Sequence, residues 1–298
     1  MIALEQRRVT LANGIELDVV DEGPRDAPAL IFLHGFPENH RTWRHQIDHL
    51  KDRYRCIAPD QRGYRGSSKP DAVEDYAPDK LIADVFLLAD ALGAETFTIV
   101  GHDWGGAIAW GVALGGQHAR VTRAIIANAP HPAIFQRLLY TNRVQREASQ
   151  YIRAFRNRAN DPLIEEQGLR GILERDVKWD RPDAMDAAER AILDADWQDR
   201  EAAFAMLNWY RATNMDVPDM DAPFEVPADY TPPDLPRLTI PTLVIWALDD
   251  LALPPENLEG LDRLIDPLTL VHIPDCGHFV PWEAPDEVNA AMDQFLQS

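Results

Sequence analysis

Short apolar runs of strand length, separated by amphipathic stretches, constrain this chain more than any other feature. ALIFL (29–33), RCIAP (55–59), FTIV (97–100) and RAIIAN (123–128) are apolar on both faces, as strands of a parallel sheet buried under helices must be. DKLIADVFLLADALG carries apolar residues at spacings of three and four and ends at Gly93, which predicts a helix with its stop signal. Ahead of these, RVTLANGIELDVVDEG alternates apolar and polar residues around Asn13-Gly14, the pattern of a tight hairpin. Alternating strand and helix predicts an open, mostly parallel α/β sheet flanked by helices.

The pattern changes at about residue 134. Up to about residue 215 only helical stretches occur: FQRLLYTNRVQREASQYIRAFRN, DPLIEEQGLRGILERD, DAAERAILDADW and REAAFAMLNWYRATN. The proline-dense MDVPDMDAPFEVPADYTPPDLPRL reads as a loop. Strand signals resume at TLVIWA (242–247) and LTLVHIP (268–274), before a closing helix around EVNAAMDQFLQ. The expected organisation is a core domain of residues 1–131 and 236–298, interrupted by a helical cap domain of residues 132–235. An insertion that leaves and re-enters on one side of a sheet can act as a lid.

Composition narrows the function classes. With 298 residues and 46% hydrophobic content the chain can bury a sizeable core, and a net charge of −20 repels nucleic acid and anionic membrane surfaces. No nucleic-acid or membrane partner is expected, and a homodimer is compatible with the sequence. Cys56 and Cys276 have no CxxC spacing and read as buried reduced thiols of a cytoplasmic enzyme. The opening residues do not resemble a secretory signal, and no apolar run has the length of a membrane span. His45 and His49 could share a helix face, but HExxH is absent, so a solvated helix is favoured over a metal site. GHDWGG is not a dinucleotide-binding glycine motif and no phosphate loop occurs, so no cofactor is expected.

The chemistry concentrates in IVGHDWGGAIAW (99–110). Strand, sharp turn and helix with this glycine frame resemble the elbow Gly-x-Ser-x-Gly, with Asp103 in the serine position. A strained turn lifts that side chain above the carboxyl edge of the sheet, where open α/β sheets bind ligands, and the positive end of the following helix keeps it ionised. A helix N-cap aspartate is the alternative, which the glycine frame disfavours. His278, just past the last strand in IPDCGHFVPWEAP, and Asp250 or Asp249 in ALDD supply a base and its partner in the chain order nucleophile, acid, histidine. His34-Gly35-Phe36-Pro37 follows an apolar strand, where backbone N–H groups of Phe36 and Trp104 would form an oxyanion hole. The rings of Phe36 and Trp104 are expected to line the pocket. Phe135, Phe155, Trp179 and Met215 are further candidates for its wall, although core packing is the commoner fate of such residues.

A carboxylate nucleophile restricts the reaction. Serine attacking saturated carbon would leave an ether, whereas aspartate leaves an ester whose carbonyl water can attack. Displacement at an sp³ carbon followed by ester hydrolysis fits an epoxide or an alkyl halide. Epoxide opening also requires an acid opposite the nucleophile, and tyrosine, still protonated at neutral pH, suits that task. The helical insertion offers Tyr140, Tyr151 and Tyr210, among which composition does not choose.

HGFPE, the WRHQI after it, GHDWGG, LNWYR and DCGH, in this order, resemble the epoxide hydrolases of the α/β-hydrolase superfamily, across nearly the whole chain. The resemblance implies the α/β-hydrolase fold with an inserted helical cap, and formation of a vicinal diol through a covalent aspartyl ester. It also implies that Tyr210 of LNWYR is one lid acid and that Tyr151, in a Tyr-x-x-x-Phe pattern with Phe155, is the other, with Tyr140 as the fallback. Phe155 then belongs to the substrate-binding set, and Asp250 is favoured over Asp249. Haloalkane and haloacetate dehalogenases share the aspartate. Haloalkane dehalogenases often carry asparagine where this chain has Phe36, and haloacetate dehalogenases arginine where it has Trp104, yet Asn39-His40 and GYRGSSKP keep halide chemistry as the runner-up. A ligand-binding protein on a retired hydrolase fold is the reading from another class.

Overall fold

The computed structural model describes residues 2–177 and 184–297. Eight strands form one sheet in the order β1-β2-β4-β3-β5-β6-β7-β8. They are β1 Gln6–Thr10, β2 Glu16–Glu22, β3 Ala29–Leu33, β4 Arg55–Pro59, β5 Phe97–His102, β6 Val121–Ala127, β7 Thr242–Ala247 and β8 Leu268–Ile273. The first two strands pair antiparallel across the Asn13-Gly14 turn, β2 is also antiparallel to β4, and all other neighbours are parallel. The chain winds outward from β3 to β4 and then crosses back to β5 on its other side. That reversal makes the crevice between the carboxyl ends of β3 and β5 the natural ligand position in such a sheet.

Alternation along the central strands feeds two cores. Ile31 and Leu33 of β3 face one side, Leu30 and Phe32 the other, all at most 1% exposed. Burying each stabilises the fold by about 2 kcal/mol. Helices α2 (Pro78–Leu92) and α3 (Asp103–Leu114) cover the first side, and α1 (Arg44–Leu50) covers the second. Gly93 ends α2 in the left-handed conformation, at φ 67°.

Between β6 and β7 the chain forms α4 (Pro132–Thr141), α5 (Arg143–Ala148), α6 (Gln150–Arg156), α7 (Asp161–Gln167), α8 (Leu169–Asp176), α9 (Ala187–Gln198) and α10 (Arg200–Arg211). The stretch read as helical over 135–157 is three helices. Asn142 breaks the first by turning its side chain to accept the Gln145 N–H at 2.9 Å, capping α5. Gly168, at φ 68°, separates α7 from α8. After β7 come α11 (Leu261–Leu264), α12 (Val280–Glu283) and α13 (Pro285–Leu296), the last two packing with α1 on the second side.

Residues 215–237 contain neither helix nor strand, as their prolines predict. Arg146, fully buried, holds them. Its guanidinium donates to the carbonyls of Leu139 and Ala222 at 2.8 Å and of Pro223 at 2.9 Å, and lies 3.8 Å from the Phe224 ring centroid. Cys56 and Cys276 are buried free thiols.

The inserted helices are tied to the sheet's loops through buried polar contacts. Trp209 Nε1 donates to the Arg62 carbonyl at 2.9 Å and Trp197 Nε1 to the Pro37 carbonyl at 2.8 Å. Arg41 grips the Glu189 carboxylate of α9 with two hydrogen bonds of 2.6 and 2.5 Å. Burial opposes the charge on Glu189, but Arg41 and Arg44 outweigh it and hold the carboxyl below its usual range. Glu189→Gln leaves a buried cation without its counter-charge and is expected to lower stability by roughly 3 kcal/mol, read as a fall in Tm. Because the folded carboxyl is held low, its contribution is present above the unfolded value of about 4.3 and is lost as pH falls through the folded value. The gap in Tm between wild type and Glu189→Gln should therefore narrow in acid.

Candidate active site

β5 runs two residues beyond its apolar segment, pairing Gly101 with Ile126 and His102 with Ala127, and delivers the chain at the sheet edge into Asp103. Asp103 has φ 51°, a conformation that costs a non-glycine residue about 1 kcal/mol or more. Its neighbours must be small. A Cβ on Gly35 would sit 2.5 Å from Asp103 Cβ, and a Cβ on Gly105 would sit 2.3 Å from the Leu33 carbonyl oxygen. The glycine frame of the motif is thus the space into which the turn folds.

Four other strand ends converge on that carboxylate. The loop after β3 places the Phe36 N–H 2.7 Å from Asp103 Oδ1. The loop after β8 places His278 Nε2 3.5 Å from Asp103 Oδ2. The loop after β7 brings Asp250 Oδ2 to 2.8 Å from His278 Nδ1, and the end of β6 supplies Asn128, whose Nδ2 donates to the same Asp250 oxygen at 2.7 Å. Asp250 Oδ1 accepts the N–H groups of Ala252 at 2.8 Å and Leu253 at 2.9 Å. Asp249, the other candidate, is exposed, whereas Asp250 is buried. Among the described residues, the Trp104 N–H makes no hydrogen bond to Asp103.

Burial opposes the charges of this cluster, and their mutual attraction prevails. Asp250 and Asp103 outweigh burial to hold the His278 imidazolium well above the ordinary histidine range, while His278 keeps the Asp103 carboxyl below the usual carboxylate range. His102, directly before Asp103, is driven down to about 4 by burial, and its Nε2–H donates to the His278 carbonyl at 2.8 Å. Its Nδ1 lies 3.6 Å from Glu38 Oε2, and burial raises that carboxyl to about 7.

Two cavity lobes, of 480 and 720 Å³, meet over Asp103, and Tyr151 of α6 and Tyr210 of α10 line both. Their ring centroids lie 6.1 Å apart. Burial is the main cause that raises both phenols above their ordinary value, and the Asp103 charge adds to it, so each hydroxyl keeps its proton at neutral pH. Phe36 and Trp104 each set an edge-to-face contact on the Tyr210 ring at 5.0 Å. Phe36 lines the larger lobe and Trp104 the smaller, with Phe135 and Met215. Tyr140 lines only the smaller lobe, against Tyr230 at 5.0 Å, and burial with the nearby Asp216 raises it to about 12. Phe155 lines neither lobe: it is fully buried behind the tyrosines, touching Tyr151 and Tyr210 at 5.3 and 5.0 Å. Trp179 lies outside the described residues.

The sequence reading missed Asn128, Glu38, His102 and Glu283. Glu283 accepts the N–H groups on both sides of His278, from Gly277 at 2.7 Å and Phe279 at 3.1 Å. Each left a signal, being a polar residue at the end of an apolar strand or inside a motif already singled out. Of the Asn39-His40 pair that kept halide chemistry as the runner-up, Asn39 donates to Asp196 at 2.8 Å and His40 pairs with Asp60. His49 pairs with Asp293 on the surface, and no group of three or more metal-ligating side chains occurs among the described residues.

A family model for the alpha/beta hydrolase fold matches residues 28–285. Epoxide hydrolase A of Mycobacterium tuberculosis is 33% identical over 334 aligned positions, covering 97% of this chain and 96% of that one. The chain belongs to the epoxide hydrolases of the α/β-hydrolase superfamily. A solved structure of an epoxide hydrolase from hot-environment metagenomes is 76% identical to it, with a TM-score of 0.97 and 99% of each chain covered. A mutant of an epoxide hydrolase from Bacillus megaterium, solved in complex with its product (R)-3-[1]naphthyloxy-propane-1,2-diol, is 29% identical, with a TM-score of 0.84 over 98% of this chain and 100% of that one. No helix among the described residues is long and apolar enough to cross a membrane.

Because Asp103 contributes to the charge that holds His278 protonated, Asp103→Asn should make His278 titrate at lower pH. NMR titration of the imidazole protons reads this directly, and an unchanged midpoint would show that the two groups are not coupled.

Proposed function

We propose that the chain hydrolyses an epoxide to a vicinal diol through an ester on Asp103, with residues 132–235 acting as the cap domain over a core of residues 1–131 and 236–298. One observation carries the reading: the elbow carboxylate Asp103, the base His278 and the two protonated tyrosines Tyr151 and Tyr210 all line the larger lobe, with Asp250 behind His278. Serine at this position would serve acyl transfer, and a halide leaving group would not need paired phenols.

In the first step Asp103 Oδ2 attacks one ring carbon from behind as the C–O bond breaks, and Tyr151 or Tyr210 gives its proton to the leaving oxygen. Tyr151 is favoured over Tyr140 because it shares both lobes with Tyr210. Alkylation then erases the Asp103 charge. The attraction that held the His278 proton weakens, and the imidazole becomes available as a base only once there is an ester to hydrolyse. Asp250 holds the ring by its Nδ1–H, so Nε2 can take a proton from water. The water oxygen adds to Asp103 Cγ, and negative charge develops on Oδ1 at the Phe36 N–H. The Trp104 N–H, of the residue after the nucleophile, is assigned in this scheme as the second donor once the tetrahedral oxygen forms. Collapse releases the diol and leaves a solvent-derived oxygen on Asp103. On collapse the proton of the added hydroxyl passes to the departing alkoxide; the proton that His278 held at rest goes through solvent to the tyrosinate, and the one it takes from water restores the imidazolium. No cofactor takes part in this scheme.

Heavy-oxygen water should therefore label Asp103 over repeated turnovers, and label confined to the diol in every cycle would exclude the ester. Asp103→Asn should abolish turnover, and His278→Gln should accumulate the ester, seen as a mass increase of the protein by one substrate. Replacing either tyrosine by Phe should slow epoxide opening by roughly a hundredfold. Styrene oxide, a chlorinated alkane and a haloacetate assayed side by side separate the readings: diol release supports this one, halide release a dehalogenase, and neither product a retired binding protein.

A further inference from the structure

The orientation of the Phe36 N–H is itself held by something. The Gly35 carbonyl and the Phe36 N–H belong to one planar peptide and point in opposite directions, so whatever fixes the carbonyl aims the N–H. That carbonyl accepts a hydrogen bond from the His34 side chain, with 2.9 Å between Nδ1 and the oxygen, and a second from the Glu38 N–H at 3.1 Å. The other ring nitrogen, Nε2, accepts the Gln61 N–H at 3.1 Å. A carbonyl can only accept and a backbone N–H can only donate, so both contacts require the neutral Nδ1–H tautomer. The Gln61 side chain closes the unit by donating Nε2–H to the His34 carbonyl at 2.7 Å, and Tyr64 packs edge to face on the ring at 4.5 Å. His34 is 1% exposed, and burial, its main influence, drives it down to about 4.

We propose that His34 is a positioning residue for the reaction: its Nδ1–H locks the Gly35–Phe36 peptide so that the Phe36 N–H points at Asp103 Oδ1. His34 touches neither substrate nor reacting atoms. Its effect falls unequally on the two steps of the proposed reaction, on which the kinetic part of this inference rests. During alkylation negative charge leaves Asp103, so the Phe36 N–H stabilises the starting carboxylate more than the transition state. During ester hydrolysis negative charge builds on Oδ1, and the same N–H stabilises the transition state more than the ester. Loosening the peptide therefore slows the second step and spares the first. A general loosening of the fold would slow both.

Two substitutions separate the two ring nitrogens. The side chain of Asn reaches the position of Nδ1, and that of Gln the position of Nε2. His34→Asn thus keeps a donor for the Gly35 carbonyl, and His34→Gln keeps only an acceptor for Gln61. In single turnover of styrene oxide, His34→Gln should hydrolyse its ester at least tenfold more slowly than wild type and accumulate it, with the alkylation phase unchanged. His34→Asn should hydrolyse within a fewfold of wild type. Equal hydrolysis rates in the two variants, or parallel slowing of both steps, would overturn the proposal.

Two measurements on the resting protein do not depend on the reaction. The Phe36 amide proton should resonate far downfield in wild type and His34→Asn, and lose that shift in His34→Gln. In wild type alone, nitrogen NMR should find His34 neutral and protonated on Nδ1 at pH 6. An imidazolium, an Nε2–H tautomer or an unshifted Phe36 amide in wild type would overturn the role of His34, even if both variants fail to fold. Absence of ester from His278→Gln would instead overturn the proposed reaction, and the amide resonance would still decide the role of His34.

Discussion

The left-handed backbone at Asp103 is the constraint on which the rest of the site depends. A carboxylate can stand above the sheet edge only if the chain turns from strand to helix within one residue, and that turn exists only because Gly35, Gly101, Gly105 and Gly106 leave room for it. The strain is sustained by its surroundings: a five-strand convergence in which each loop contributes one fixed contact. The sheet therefore acts as a jig, and the charges it gathers hold one another in their ionised states.

Charge is the second organising theme. An anion, a cation and another anion stand in line from Asp103 through His278 to Asp250, buried, with the last satisfied by Asn128 and two backbone N–H groups. Burial alone would oppose the charges of Asp103 and His278. Together they form an arrangement whose balance changes when one member is covalently neutralised. Phenols pushed upward and a histidine pulled upward by the same surroundings are opposite outcomes of one environment, because burial disfavours the tyrosinate while the carboxylates favour the imidazolium.

Much of this was legible in the sequence. Ala29–Leu33, Arg55–Pro59 and Thr242–Ala247 are strands over the residues their runs mark, because each is buried along its whole length and so reads as a continuous, mainly apolar run. β5 and β6 are longer than their apolar runs: pairing continues through His102, and it begins at Val121 before a half-buried Arg123. Ladder hydrogen bonds do not require apolar side chains. The elbow and His278 were legible in motif and chain order, which left Asp250 and Asp249 open; only the family resemblance favoured Asp250. Asn128 and Glu283 escaped notice because they act by hydrogen bonding to residues distant in sequence or to backbone, and neither contact has a periodicity. Phe155 was expected at the cavity wall and packs one layer behind it. Its place on α6 was predictable from spacing, but the rotation of that helix was set by packing against α10.

The ceiling of the smaller lobe is partly built from Met215, Asp216, Tyr230, Thr231 and Pro233, in a segment without regular secondary structure that Arg146 pins by its carbonyls. Such a segment contributes no strand to the sheet and no residue to the charged line beneath it. Its length and side chains can change while the arginine anchor and the elbow stay fixed. The fold thus separates what must be invariant from what can drift: the floor of the cavity is set by sheet geometry, and its roof is a replaceable surface along which related chains can diverge in shape without relearning the chemistry.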